Sequence, residues 1–314
     1  MLVWNKYYTI GRLWSLLFIA GFGVVESRAE IPAAFADIGF GARPLGMGGA
    51  YTALASDPYG VLFNPACLPD ARGWQISTMY ARQFGIIPYA LAAAARNIGG
   101  RFGAGAAFLN SGDEVLRENT VLASFGMKLG DSGTSLSRLS LGLTVKWRSA
   151  SFGGNADGGE MRIRGGAEGF GLDVGLRWKI ASTWTAGILV RDAWNRVDYD
   201  NRTRGKTYSE SVPAGLVVGS AYMPRTNLVF ALDVDKALYP DVQDRFMAGL
   251  EWRLFKMLLF RTGVSQSLGG DSNRKLNCGI GIQHFRGGVG VRFDFAYQFH
   301  FLANTPRVSA SLWF

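Results

Sequence analysis

The residue types that carry most protein chemistry are scarce in this chain. Its 314 residues include two histidines, His284 and His300, and two cysteines, Cys67 and Cys278. A hydrolytic triad needs a nucleophile, an imidazole and an acid that orients the imidazole. Here the histidines fall in different strand-like segments, and no serine–histidine–acid arrangement surrounds either. Two histidines and two well-separated cysteines do not supply the ligand spacing of a zinc site. The string "GDSGTS", 130–135, lacks the lysine of a phosphate-binding loop. The expectation is a non-enzyme with no catalytic residues, no metal and no cofactor. The polar residues with suggestive spacing lie elsewhere, in "GMGGAYTALASDPYGVLFNPACLP", Gly46 to Pro69. Asp57, Asn64 and Pro65 are turn and cap formers, set among small residues where the chain is unsuited to strand. Such a segment can bind, block or gate, and what it does depends on what surrounds it.

The surroundings are read from periodicity. After residue 73, segments of about ten residues alternate apolar with small or polar side chains, the pattern of strands with two different faces. "RLSLGLTVKW" sets Leu139, Leu141, Leu143, Val145 and Trp147 against Ser140, Gly142, Thr144 and Lys146. Fourteen such segments are expected: 74–82, 89–97, 101–110, 121–130, 138–149, 167–180, 183–192, 211–222, 226–236, 245–254, 257–267, 276–286, 288–300 and 306–314. Tight connections such as "NIGG", "AS" and "RGG" alternate with longer ones, including 111–120, 150–166 and 193–210, with 131–137 a long exception on the short side. An even number of strands with short turns at one end and long loops at the other is the pattern of an all-β, antiparallel transmembrane barrel.

A soluble β-sandwich is the alternative, with the apolar face inward. The second face discriminates between them. Lys146, Arg148, Asp173, Arg177, Arg191, Asp233, Asp235, Glu251, Arg253, Arg261, Arg292 and Asp294 fall on it among many glycines, as in a crowded wet lumen. The apolar face carries Trp147, Trp178, Trp184, Tyr222, Trp252 and Tyr297 near strand ends, where interfacial girdles sit. The last segment, "RVSASLWF", ends on an aromatic residue and resembles the terminal strand that outer-membrane assembly machinery recognises.

Residues 1–29 read as an export signal. Lys6 and Arg12 precede the apolar run Leu13 to Val25, and Ser27 and Ala29 place small residues before a cut after Ala29. The run is short for a membrane-spanning helix. The whole chain carries a net charge of +9, and removing the signal leaves 30 basic against 23 acidic residues. The scatter of those charges, with the export signal, speaks against nucleic acid as a partner and for anionic lipid or solute. Cys278 shares the apolar face of its strand, whereas Cys67 precedes the barrel. A disulfide would have to cross the wall, so two free thiols are expected.

A barrel of this width is not filled by its own side chains. Residues 30–73 are the piece left over to fill it, giving three regions: signal 1–29, plug 30–73 and barrel 74–314. The ordered set Gly46, Gly48, Gly49, Ala50, Ala55, Asp57, Asn64, Pro65 and Ala66 resembles the N-terminal hatch of the FadL family of outer-membrane transporters and its PorV/PorQ branch. Cys67 stands where many relatives have glycine. The resemblance implies an outer-membrane barrel for passive transport of a hydrophobic small molecule, with Asp57, Asn64, Pro65 and Ala66 as ligand or gating residues and Gly46, Gly48 and Gly49 as plug glycines. Its PorV branch implies the alternative, a protein-interaction component of type IX secretion or of surface-protein assembly. The segment 193–210, with Trp194, Arg196, Tyr199, Arg202, Arg204 and Tyr208, would then dock a secreted or periplasmic protein.

Overall fold

The computed structural model describes residue 35 and residues 39–130, 133–154, 163–239, 242–269 and 273–314; the expected export signal lies outside the described residues. Strands dominate. They are β1 (Trp74–Gln83), β2 (Ile87–Ile98), β3 (Phe102–Gly112), β4 (Leu116–Lys128), β5 (Leu139–Phe152), β6 (Gly165–Ala181), β7 (Trp184–Asn201), β8 (Lys206–Glu210), β9 (Gly215–Arg225), β10 (Leu228–Ala237), β11 (Asp244–Leu254), β12 (Leu258–Leu268), β13 (Arg274–Arg286), β14 (Val289–Phe299) and β15 (Thr305–Trp313). Each wall strand pairs antiparallel with its sequence neighbours, and β1 closes on β15 in register from Gln75↔Trp313 to Ala81↔Arg307. The wall has fourteen strands, because β8 pairs with the outer part of β7 alone. Closure removes the edges that an open sheet would expose to lipid.

The alternation has the expected polarity. On β5, Leu141, Leu143, Val145 and Trp147 are exposed outward, while Thr144, Lys146 and Arg148 are buried inward. An exposed apolar band built this way around a closed sheet is the surface of a transmembrane barrel, not of a water-soluble sandwich. Short turns at one end are tight. Gly287 and Gly288 both have positive φ, 59° and 86°, as a two-residue hairpin of this twist requires.

Two loop expectations are corrected. The segment 193–210 is not a loop: β7 runs on to Asn201 and returns as β8, an antiparallel hairpin standing beyond the wall. The expected loop 111–120 shrinks to 113–115, since β3 and β4 pair out to Gly112↔Arg117. Asn110 Nδ2 donates to Asn119 Oδ1 at 2.8 Å, and Ser111 donates to Glu118 at 3.3 Å. Polar cross-strand pairs therefore carry the ladder on past the apolar band, where hydrophobic alternation ends and periodicity loses its signal.

The described residues before β1 form no strand. They make two short α-helices, α1 (Ala42–Gly46) and α2 (Gly60–Phe63), and a 3-10 turn over Pro65–Asp70. They are nearly wholly buried: Tyr51, Tyr59, Val61, Ala66, Cys67 and Leu68 have no exposure to speak of. They lie inside the barrel as a hatch. Both cysteines are free, Cys67 buried in the hatch and Cys278 exposed on the wall.

Candidate functional site

The site is the lumen, divided by the hatch. The hatch can sit there because the wall facing it lacks side chains. A Cβ on Gly249 or Gly263 would collide with the backbone of Met47 or Gly48, and one on Gly126 or Gly142 with that of Pro65 or Ala66. Gly103 faces Leu68 in the same way, and Gly187 faces Thr52. The contact is reciprocal at Gly48, whose φ is +69° and whose added Cβ would lie 2.6 Å from the carbonyl oxygen of Val264. Gly46 lies against Arg261 and Gly49 against the Met247 sulfur. The three expected plug glycines thus all touch the β11–β12 wall. The lumen-facing wall glycines are the part of the site that the hatch motif does not reveal, although their parity on successive strands was open to reading.

Polar bonds lock the hatch to the wall at several places. Arg43 forks onto Glu251 with Nε and Nη2 at 2.8 and 2.9 Å, and its Nη1 donates to Tyr51 Oη at 2.7 Å and Asp57 at 3.1 Å. Asp57 also accepts from the Tyr51 hydroxyl and from the Tyr59 backbone N–H. Asp233 of β10 accepts from the backbone N–H groups of Tyr51 and Thr52, both at 2.9 Å. Asn64 donates to the Thr52 carbonyl at 3.0 Å and to the Leu176 carbonyl of β6 at 3.1 Å, and its Oδ1 accepts from Ala66 N–H at 3.1 Å. Asp70 meets Lys128, Arg177 and Lys179 at the short-turn end. Behind this, Arg261 joins Glu251 at 2.6 Å to Asp294 at 2.8 Å within the wall.

Asn64, Pro65 and Ala66 thus meet the wall directly, whereas Asp57 bonds within the hatch and reaches the wall at Arg292, 4.0 Å away; none of the four lines the cavity described next. Above the hatch, toward the hairpin end, lies a cavity of about 540 Å³. Phe40, Leu62 and Phe63 of the hatch, with Leu109, Leu122 and Leu189 of the wall, give it apolar surface. Lys146, Arg148, Arg191, Asp192, Asp235 and Arg245 also line it, and they pair with acids of the wall. Lys146 meets Asp173 at 2.7 Å and Asp192 at 3.2 Å, Arg148 meets Asp192 at 2.6 Å, and Arg191 and Arg245 share Asp235 at 3.0 and 2.7 Å. Charges held in such pairs leave little net demand for a counter-charge from a guest.

The hairpin residues expected to dock a partner are scattered in role. Trp194 is exposed on β7, and Tyr199 and Tyr208 stack on each other with centroids 5.0 Å apart. Arg196 pairs with Asp198 at 2.8 Å and Arg202 with Asp200 at 3.4 Å, both within the hairpin, while Arg204 is exposed at its tip. Among the described residues no group of three or more His, Cys, Asp or Glu is placed to hold a metal ion.

This geometry defines a class: a closed fourteen-stranded membrane barrel with a hatch folded into its lumen. Solved structures share this fold. A FadL homologue of Pseudomonas aeruginosa matches with a TM-score of 0.63 at 11% identity, over 91% of this chain and 99% of its own. The toluene transporter TbuX of Ralstonia pickettii matches at 0.59 and 16% identity, over 89% and 98% of the two chains. The toluene transporter TodX of Pseudomonas putida matches at 0.57 and 14% identity, over 92% and 98%. At these identities the likeness speaks for the fold alone. No protein-family model and no curated protein matches the chain.

Proposed function

We propose that the protein is an outer-membrane channel for passive movement of a hydrophobic small molecule, exported by a signal cleaved after Ala29. The cavity above the hatch carries this reading: it is the size of a small-molecule site, its apolar side chains come from hatch and wall together, and Lys146, Arg148, Arg191 and Arg245 on its lining are each paired with an acid. A neutral apolar guest fits such a site better than an ion or a sugar does. The barrel matches proteins described as toluene transporters, which supports the same class of cargo. Because the hatch forms the cavity floor, a guest moves on when the hatch shifts. Asp57 and Asn64 act as its latch, while Pro65 and Ala66 fill the space over Gly126 and Gly142.

The test is calorimetric titration of the detergent-solubilised protein with a neutral monoaromatic compound and with a sugar of similar volume. Saturable binding of the first, with a negative heat-capacity change, and none of the second is expected. Leu109→Asp, opposite Leu91 and Thr120 in register, puts an unpaired charge into the cavity and weakens binding at least about tenfold, since such a charge costs several kcal/mol. Absence of saturable binding, with a surface or periplasmic polypeptide co-purifying in stoichiometric amount, overturns transport in favour of a docking role for the β7–β8 hairpin.

A further inference from the structure

The two ends of the barrel handle positive charge differently. At the hairpin end exposed acids stand among the cations: Arg196 pairs with Asp198, Arg202 with Asp200 and Lys236 with Asp244 at 2.7 Å, and Asp113, Glu114, Glu168 and Glu210 are exposed there as are Arg117, Arg164, Arg204 and Lys206, which form no ion pair with a described residue. At the short-turn end, Arg96, Arg138, Arg225, Lys256 and Arg286 are all exposed, and none forms an ion pair with a described residue. The acid at that end among the described residues is Asp70, already taken by Lys128, Arg177 and Lys179. A ring of exposed cations at one end, without acids, is an electrostatic footprint for an anionic partner.

Position identifies the partner. Arg96 ends β2, Arg138 precedes β5, Arg225 ends β9, Lys256 turns β11 into β12, and Arg286 ends β13. The cations are thus spread around the circumference and not gathered on one side. They share their level with outward aromatics: Trp74, Trp178, Tyr222, Trp252 and Phe285 are all exposed there. Trp74 lies opposite Arg96 in register, with the guanidinium 5.0 Å from its ring. Exposed Trp and Tyr mark the headgroup level of a bilayer. A single folded protein would meet one arc of this ring, whereas a lipid annulus meets all of it.

We infer that the short-turn end is a binding surface for anionic phospholipid headgroups in the leaflet it faces. The arginines and Lys256 reach the phosphates, and the aromatics fix their depth. This rests on the rim alone and is independent of what the lumen carries. The test uses the full chain in detergent, titrated with phosphatidylglycerol or phosphatidylethanolamine, with bound lipid counted by native mass spectrometry. Wild type is expected to retain phosphatidylglycerol in preference. Replacing the five cations with Gln is expected to remove that preference, each charge contributing about fivefold. Replacing the four arginines with Lys keeps it and shows that the rim is intact. Neutralising Arg117, Arg164, Arg196, Arg202 and Arg204 at the other end serves as control and leaves it unchanged. No preference in wild type, or equal loss in the control, overturns the inference. So does a bound acidic polypeptide that the Gln variant releases while its lipid preference persists.

Discussion

At the scale of single residues, Arg43 and Cys67 together make the state of the hatch measurable. Arg43 holds Glu251, Asp57 and Tyr51 at once. Removing it leaves Glu251 with Arg261, but strips Asp57 of its nearest cation. Breaking a buried pair from one side costs about 3 kcal/mol or more. Cys67 reports the consequence, because burial pushes its thiol from an ordinary 9.0 up to about 11. The thiolate is the reactive form. In the intact protein Cys67 should resist a water-soluble thiol reagent at pH 8, and its reaction should rise only as pH approaches 11. A released hatch lets the thiol titrate near its ordinary value. In a Cys278→Ser background, Arg43→Ala is expected to speed labelling of Cys67 about a hundredfold, the ratio that about 3 kcal/mol of opening free energy gives. Equal labelling rates in the two proteins would show that Arg43 does not fasten the hatch.

At the scale of elements, hatch and wall are fitted by subtraction. Glycine makes up 42 of 314 residues, and the lumen-facing glycines of β3, β4, β5, β7, β11 and β12 explain part of that excess. Gly142→Val places two methyl groups against Pro65 and Ala66, the backbone where the hatch turns. Overpacking of this kind costs about 1–3 kcal/mol. It is expected to raise the resting conductance of the barrel in planar bilayers, whereas Leu143→Val, one residue on and facing lipid, should leave it unchanged. The same elements show what could be read beforehand. All fourteen wall strands were legible because lipid on one side and a wet lumen on the other force strict alternation, as on β5 from Leu139 to Trp147. The hatch was legible from Asp57, Asn64 and Pro65, whose backbone preferences forbid a strand. The β7–β8 hairpin was not, since β8 is exposed along its whole length and the outer half of β7 alternates mostly polar residues, with Val197 the one apolar side chain fully buried there. Nor was the pairing of Asn64 with Leu176, for a side chain that reaches across 112 residues leaves no periodic trace.

At the scale of the whole molecule, wall and hatch have separable roles. The wall is a complete ring of strand pairing, β1 to β15, in which no described hatch residue forms a strand. Its inward charges are partly satisfied among themselves, as Arg261 is by Glu251 and Asp294 and as Lys146 is by Asp173 and Asp192. The hatch therefore seals more than it supports. Deleting residues 30–73 behind the export signal should leave a barrel that still inserts and still resists unfolding by detergent. Its lumen, however, would now be lined by Lys146, Arg177, Arg261, Glu251 and Asp294 around water, as in wider open barrels. Such a pore has no reason to exclude polar solutes. Proteoliposomes carrying the deletion should swell in sucrose at a rate approaching that of an open porin, while those carrying the intact protein should not. The charged lumen gives a second signature: the conductance of the deleted barrel should depend on salt more weakly than bulk conductivity at low ionic strength, where fixed charge holds counter-ions in place. Sucrose swelling of equal rate in both proteins would mean that the glycine-fitted hatch does not close the lumen, and the cavity above it would then be a vestibule of an open channel.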